Sequence, residues 1–181
     1  VISDRDIKKA SIPERVASSV GEDPLKMVRV KDIMTEGAIT VTPFHTVEEA
    51  AELLLVDKIS GVPVVDNNGD MVGVITQSDL FRALVSLTGV GKKGVHFGFY
   101  VKDVPGCIRK LTDTIRDYGG RIASILATNE RCEKGHRRIY IRVYRIDEVS
   151  LERLKEVLKE MSPVIYIVDP QKNDREIIED V

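Results

Sequence analysis

The stretch that decides the fold is GVITQSDLFRA, residues Gly73 to Ala83, because its core occurs twice in the chain. The segment VISDRDIKKA at residues 1–10 aligns with VITQSDLFRA at residues 74–83, an offset of 74 − 1 = 73 residues. Val, Ile, Asp and Ala are identical at matching positions, and Ser3 aligns with Thr76. The chain therefore carries an internal repeat, which predicts two copies of one structural unit.

Each copy has the pattern of a strand that turns directly into a helix. A hydroxyl stands at the turn and a carboxylate follows three residues later, as Ser3 and Asp6 in the first copy and as Thr76 and Asp79 in the second. A helix N-terminus directs its backbone N–H groups at an anion, and a carboxylate can accept hydrogen bonds from a ribose diol. The same spacing matches a helix capping box, which needs no ligand. A nucleotide cradle and a plain cap remain alternatives on spacing alone.

Composition limits the classes of function. The chain has 181 residues, 43% apolar and 31% charged, which fits two small domains whose pattern changes near Gly89. A net charge of −2 provides no electrostatic surface for nucleic acid or an anionic membrane, so neither partner is expected. No apolar run approaches the roughly 18 residues of a membrane span and no signal peptide opens the chain, so we expect a cytoplasmic protein. Two cysteines, Cys107 and Cys132, do not indicate a disulfide scaffold.

The first repeat is expected to be incomplete. Residues 1–10 would be its C-terminal remnant, because the second copy has a strand, a helix and a hairpin before Gly73. Residues 11–30, which carry two prolines and a glycine, are predicted to be a connector. Residues 31–88 are predicted to be the complete second copy, with a short strand at 38–41, a helix that begins at the capping box of Thr46, and a hairpin that turns at Asn67–Asp70.

The order strand, helix, hairpin, helix, with GVPVVD at 61–66 and GVITQSDL at 73–80, resembles a CBS domain. CBS domains occur in pairs, as the repeat requires. The resemblance implies an adenosyl ligand such as AMP, ADP, ATP or S-adenosylmethionine, with the Ser or Thr near the phosphate and the Asp on the ribose. The nucleotide-binding residues that it implies are Ser3, Asp6, Ile59, Gly61, Val62, Pro63, Thr76 and Asp79.

The second half of the chain has a different pattern. After a glycine-flanked linker at 90–94, strands and helices follow in the order βαββαβ over residues 94–169, which predicts a ferredoxin-like domain. Residues 170–181 are polar and are expected to form a frayed tail. The predicted fold class is therefore α+β, a βαββα module followed by a βαββαβ domain.

The strand that is followed by DVPGCIRKLTDTI and by a glycine before the next strand resembles an ACT domain, a regulatory module that commonly binds amino acids. The resemblance implies an effector site at Val104, Pro105 and Gly106 and at Arg121, a position where this family often has Asn. A cation at Arg121 would face the ammonium group of the ligand, so free amino acids are expected to bind weakly or not at all. The order of the two domain types also resembles acetoin-utilisation AcuB-type regulatory proteins.

The motifs favour regulation over catalysis. The chain has no nucleophile elbow, no Walker loop and no HExxH motif, so no enzyme activity, catalytic residue or required cofactor is predicted. Cys132 and His136 supply only two ligands, and no metal site is predicted.

The leading hypothesis is a regulatory protein that senses an adenosine nucleotide or S-adenosylmethionine. In this hypothesis the ACT-type domain serves effector sensing or oligomerisation, the chain is at least a homodimer, and it acts on a regulated protein partner. The alternative is a purely structural oligomerisation module with unoccupied sites.

Overall fold

The computed structural model describes residues 1–2, 6–8 and 29–178, so Ser3 and most of the predicted connector lie outside the described residues. The chain divides into two compact units, Val1–Leu80 and Phe81–Val181, called here the first and second unit. Both units are α+β, as predicted. The boundaries predicted near residues 88 and 94 stay predictions.

The first unit is built around a two-stranded hairpin. Its elements are α1 (Val30–Ile33), α2 (Val47–Val56), β1 (Gly61–Val65), β2 (Met71–Thr76) and the start of α3 (Gln77–Leu87), in which the division between the units falls. β1 and β2 pair antiparallel. The turn between them is held by the Asp66 carboxylate, which accepts bonds of 2.9 Å from the N–H groups of Asn68 and Asp70, while Gly69 supplies the positive φ of 85°. The strand predicted at 38–41 is reduced to one parallel bridge between Val41 and Val64.

Alternation along β1 separates a buried face of the hairpin from an outer one. Val62 and Val64 point into a small core, and Leu54 of α2 and Val41 complete it. The other face is open: side chains of Met71, Val72 and Val74 on β2 are 69%, 56% and 56% exposed. Apolar side chains on α2 and α3 are exposed as well, namely Leu55, Val56, Phe81, Leu84, Val85 and Leu87. This much uncovered apolar surface is typical of an interaction surface.

The second unit has the predicted ferredoxin-like order. Its strands and helices are β3 (Val95–Lys102), α4 (Cys107–Asp117), β4 (Arg121–Thr128), β5 (His136–Tyr144), α5 (Glu148–Met161), β6 (Val164–Asp169) and β7 (Asp174–Ile177), preceded by a 3₁₀ turn at Val90–Lys92. They form an antiparallel sheet in the order β4-β5-β3-β6-β7. The expectation of a frayed end after Pro170 is wrong for residues 174–177, because β7 pairs with β6 and Lys159 of α5 forms an ion pair with Glu176.

Strict alternation places the core of the second unit on one face of the sheet. Phe97 and Phe99 of β3 and Ile139 and Ile141 of β5 are fully buried in one cluster with apolar residues of α4 and α5. The helix termini follow local signals, since the Asp147 carboxylate accepts a 2.9 Å bond from the Ser150 N–H at the start of α5. The opposite face of the sheet carries polar and aromatic side chains. No helix among residues 1–2, 6–8 and 29–178 has the length and apolar character that a bilayer span requires.

Candidate functional site

Thr76 and Asp79 lie where β2 turns into α3, and they interact directly. The Asp79 carboxylate accepts hydrogen bonds from the Thr76 N–H (2.9 Å) and the Thr76 hydroxyl (2.6 Å). The Asp79 N–H in turn lies 3.4 Å from the Thr76 hydroxyl oxygen, which accepts from it. This is the geometry of a capping box. The cap orients the hydroxyl, the carboxylate and the first turn of α3 into one half-buried cluster.

Gly61 lies directly beside Thr76 on the outer face of the hairpin. The two residues pair across the strands, and a Cβ at position 61 would lie 3.1 Å from the Ile75 carbonyl oxygen and 3.4 Å from the Thr76 methyl carbon. Such contacts are tighter than ordinary packing, so the absence of a side chain allows the two strands and the Thr76 side chain to approach closely. Pro63, two residues further, lies on the same face.

One edge of β1 presents peptide groups that β2 does not use. The Ser60 carbonyl accepts from the Gln77 N–H (3.0 Å), whereas the Pro63 carbonyl accepts from the Val41 N–H (3.0 Å). Because successive peptide groups of a strand point to opposite edges, the N–H and C=O of Gly61 face away from β2. Pro63 has no N–H group on this edge. Further along the same edge, the Val41 N–H donates to the Pro63 carbonyl, and the Val65 N–H donates to the Val41 carbonyl.

The other residues predicted at this site have different positions. Val62 is fully buried in the core and pairs with Ile75, and Ile59 packs partly buried against the same core. Their side chains therefore support β1 from behind its outer face. Asp6 lies in a described helical segment, Asp6–Lys8, and Ser3 lies outside the described residues.

Several groups around Thr76 are able to form hydrogen bonds with a ligand. The first turn of α3 supplies backbone N–H groups and the positive end of a helix dipole. Thr76 supplies a hydroxyl and Asp79 a carboxylate. Gly61 has no side chain on the outer face, and its edge peptide has one donor and one acceptor.

A second predicted site, the turn between β3 and α4, forms a groove of about 680 Å³. Gly106 has φ 86° and precedes the first residue of α4, which the DVPG pattern predicted. The Asp103 carboxylate holds the turn, since it accepts from the Asn129 side-chain amide (2.9 Å) and pairs with Arg137 Nη1 (3.2 Å). Arg137 Nε is buried and has no hydrogen-bond partner in the part of the chain that the structure describes. Arg109 and Arg137 both line the groove, and Arg137 has the unused donor.

Arg121 does not belong to this groove within one chain, which corrects the predicted effector site. Its partner on β5 is Tyr144, whereas the turn follows Lys102, whose partner on β5 is His136. Tyr144 and His136 are the two ends of β5, so Arg121 and the turn lie at opposite ends of the sheet, about 25 Å apart at roughly 3.3 Å per residue. Val104, Pro105 and Gly106 line the groove without it. The expected repulsion between Arg121 and the ammonium group of a ligand therefore does not apply within a single chain.

Metal ligands are not gathered at either site in the described ranges, where no three His, Cys, Asp or Glu side chains lie close enough to hold an ion together. Cys132 and His136 lie in and after the loop between β4 and β5. The Cys132 thiol lies 3.5 Å from the Glu130 carbonyl, and the His136 ring stacks on Tyr100 at 5.1 Å.

A further cavity involves residues that the sequence analysis did not single out. His96, Arg142, Tyr166 and Arg175 line it, on β3, β5, β6 and β7. The sequence does contain a signal for one of these residues. The inward residues of β5 are apolar and alternate with Arg138, Tyr140 and Arg142, which therefore lie on the outward face of the sheet. Which of these outward residues share a cavity depends on strands that are distant in sequence.

Comparison with known proteins identifies the domain that contains Thr76 and Asp79. The family model described as "CBS domain" matches residues 30–86. The chain contains a CBS domain. Three proteins have similar sequences: a CBS domain-containing protein of Dictyostelium discoideum (33% identical over 91 residues, 48% of this chain and 61% of the relative), an uncharacterized protein of Methanocaldococcus jannaschii (39% over 57 residues, 32% and 34%), and inosine-5'-monophosphate dehydrogenase of Korarchaeum cryptofilum (44% over 52 residues, 29% and 11%). The chain spans less than two thirds of the length of each of these relatives.

Solved structures with similarity include CBSX2 in complex with AMP (30% identity, 46% of this chain and 60% of that one, TM-score 0.36). The ACT domain from GTP pyrophosphokinase of Chlorobium tepidum is also similar (15% identity, 45% of this chain and 95% of that one, TM-score 0.33). The presence of a CBS domain rests on the family model and the sequence relatives.

Proposed function

We propose that the CBS domain binds an adenosine nucleotide or S-adenosylmethionine and that the protein is a regulatory ligand sensor without enzyme activity. One observation carries the proposal: the edge peptide of Gly61 and the outer face at Pro63 meet the Thr76–Asp79 cluster at the start of α3. Groups suited to a base, a ribose and a phosphate are thereby adjacent.

In this proposal each residue has a distinct role. The first turn of α3 and the Thr76 hydroxyl contact a phosphate or, in S-adenosylmethionine, the carboxylate of the methionine part. Asp79 accepts hydrogen bonds from the ribose diol. The Gly61 peptide bonds the edge of the base, and the Pro63 ring packs on the face of the base. Val62 and Ile59 hold β1 in place, and Ser3 and Asp6 take the roles of Thr76 and Asp79 in the first repeat.

The competing function is a structural oligomerisation module in which Thr76 and Asp79 only cap α3. The observed hydrogen bonds satisfy that role completely. Calorimetric titration of AMP, ATP and S-adenosylmethionine into the protein separates the two functions. We expect saturable binding of at least one of the three ligands. No heat and no thermal stabilisation at millimolar concentrations of all three would support the structural module.

We further propose that the working form is at least a homodimer. The outer hairpin face is rich in exposed apolar residues, Met71, Val72 and Val74, and lies next to the proposed ligand. A second copy that covers this face would bury apolar surface and close the nucleotide site at the same time. Ligand binding and subunit contact would then be coupled, which is how such a sensor could pass its state to a regulated protein partner.

The second unit is proposed to be an ACT-type domain whose turn takes a small effector with a carboxylate. Arg137, whose Nε has no partner among the described residues, lines the groove together with the first residues of α4. A thermal-shift screen of the twenty amino acids tests this: stabilisation by one of them should disappear in Arg137→Gln. Equal stabilisation in both proteins would exclude the groove, and no stabilisation at all would leave oligomerisation as the role of this unit.

A further inference from the structure

A cavity of about 1280 Å³ opens on the face of the second-unit sheet that is opposite α4 and α5. Its floor is formed by side chains of three adjacent strands, and its walls are formed by β7, by the turn after β6 and by the 3₁₀ segment before β3. The lining residues that matter here are Lys92, Lys93, His96, Arg142, Tyr166 and Arg175. The volume exceeds what a nucleotide-sized ligand needs, since typical sites have about 300–1,000 Å³.

Arg142 lies in the floor with its charge buried. The residue is 9% exposed, and its guanidinium donates to the Thr88 carbonyl (Nε, 2.9 Å) and the Gly94 carbonyl (Nη1, 3.1 Å). These two bonds fix the orientation of the group, and both acceptors are carbonyl oxygens without a full negative charge. No carboxylate lies within ion-pair distance of it in the described part of the chain. A buried cation without a counter-ion is costly, so an anion in the cavity would relieve that cost.

The remaining charges around the cavity have the same sign. Lys92, Lys93 and Arg175 line it together with Arg142, and no Asp or Glu is among its lining residues in the described ranges. Asp169, the nearest acidic residue along β6, is buried and accepts bonds from the N–H groups of Gln171 and Lys172. Four cations around one concave surface produce a strong positive potential, which attracts anions.

The floor also carries two aromatic rings, which are tilted to each other by 52°. The rings of His96 and Tyr166 are 5.5 Å apart, and the Tyr166 hydroxyl lies 3.2 Å from His96 Nδ1. Gly98 allows this arrangement, because a Cβ there would lie 2.7 Å from the Tyr166 ring. Desolvation, and then the nearby Arg142 charge, lower the pKa of His96 to about 4, so its ring is neutral at pH 7. The two rings therefore contribute aromatic surface and hydrogen-bonding groups without a net charge.

We propose that this cavity binds a small organic anion, whose phosphate or carboxylate group lies near Arg142, Arg175 and Lys93 and whose flat part packs on Tyr166. All of its lining residues belong to the second unit, and none of them is a residue of the nucleotide site proposed above. Its ligand would be recognised by charge together with an apolar ring or chain, because Val90, Val168 and Ile177 also line the walls.

The test is a titration of the ¹⁵N-labelled full chain, followed by NMR, with inorganic pyrophosphate and with citrate as the phosphate and carboxylate probes. We expect amide shifts at Gly94, His96 and Arg175 with at least one probe, and a preference between the probes identifies the anionic group. Arg175→Gln and Lys93→Gln, both changes of exposed side chains, should each weaken binding about five-fold or more. Arg153→Gln on α5 changes the charge equally on the helix-covered side of the sheet and should leave the affinity within about two-fold.

Three results would overturn the proposal. The first is the absence of amide shifts at Gly94, His96 and Arg175 with both probes. The probe concentration for this result is ten-fold above the one at which the amide shifts of neighbouring surface lysines reach a plateau. The second is equal weakening by Arg175→Gln and Arg153→Gln, which would indicate non-specific charge attraction. The third is a set of amide shifts that depends on the protein concentration and not on the probe concentration. Such shifts would show that this face of the sheet takes part in self-association.

Discussion

Replacement of Asp79 by alanine distinguishes a nucleotide site from a helix cap, because the two functions predict losses in different measurements. In the structure the carboxylate accepts two hydrogen bonds from Thr76, of 2.9 and 2.6 Å. The substitution removes both. If a ribose also binds this carboxylate, the substitution removes the contact with the ligand as well.

The magnitudes follow from the two kinds of bond. Loss of a capping interaction costs about 1 kcal/mol of stability, which corresponds to a decrease in Tm of about 4–8 °C for a unit of this size. Loss of charge-assisted bonds to a ribose diol costs about 1.5–3 kcal/mol of binding, or about 10- to 150-fold in Kd. We therefore expect Asp79→Ala to bind AMP at least ten-fold more weakly while it remains folded at 25 °C.

The chain contains a matched control in α2. Thr46 and Glu49 form a second capping box, in which the Glu49 carboxylate accepts from the Thr46 N–H (2.7 Å) and the Glu49 N–H donates to the Thr46 hydroxyl oxygen (3.3 Å). These hydrogen bonds lower the pKa of Glu49, as expected for a carboxylate that is stabilised in its charged form. Glu49→Ala should lower the Tm by a similar amount and leave the Kd for AMP unchanged.

The assay combines calorimetric titration of AMP with differential scanning calorimetry of each protein. A lowered Tm with an unchanged Kd in Asp79→Ala would refute the ribose contact and leave only the cap. Weakening of AMP binding by Glu49→Ala to the same degree would show that the loss reflects general destabilisation.

Three further outcomes are expected. Gly94→Ala should unfold or strongly destabilise the second unit, because the new Cβ would lie 2.1 Å from the Val143 carbonyl oxygen. Gly91→Ala is the control: no atom lies within 4 Å of its Cβ position, so its Tm should change by less than about 2 °C. Equal changes in Tm for the two variants would contradict this packing. The pKa of His96 is lowered to about 4, so the unfolded chain binds a proton that the folded chain does not between about pH 6.5 and 4. Stability should therefore fall as the pH falls through this window, and His96→Gln should remove about 1–2 kcal/mol of that fall, after allowance for the partial exposure of the ring; an unchanged pH profile would argue against desolvation of His96. Light scattering should give a mass of at least twice 20.2 kDa at micromolar concentration, and a monomer throughout would exclude the proposed dimer.

Local sequence patterns were sufficient for the elements of both units. The T-x-x-E and T-x-x-D spacings predicted the starts of α2 and α3, and the Asn68-Gly69 turn predicted the hairpin between β1 and β2. The order of strands and helices predicted the ferredoxin-like unit. These patterns succeed because a cap, a turn and an amphipathic strand each depend on residues within four positions of each other.

The tertiary structure alone decided which of these residues meet. It placed Gly61 against Thr76 and turned Val62 into the core, it separated Arg121 from the turn at Gly106 by the length of β5, and it converted part of the polar tail into β7. It also joined His96, Arg142, Tyr166 and Arg175 from four strands around one cavity. Strand register and strand order set these distances, and both result from packing between segments that are far apart in sequence. For that reason the sequence determined which chemical groups the protein has and which local elements carry them, whereas only the folded sheet determined which of them act together.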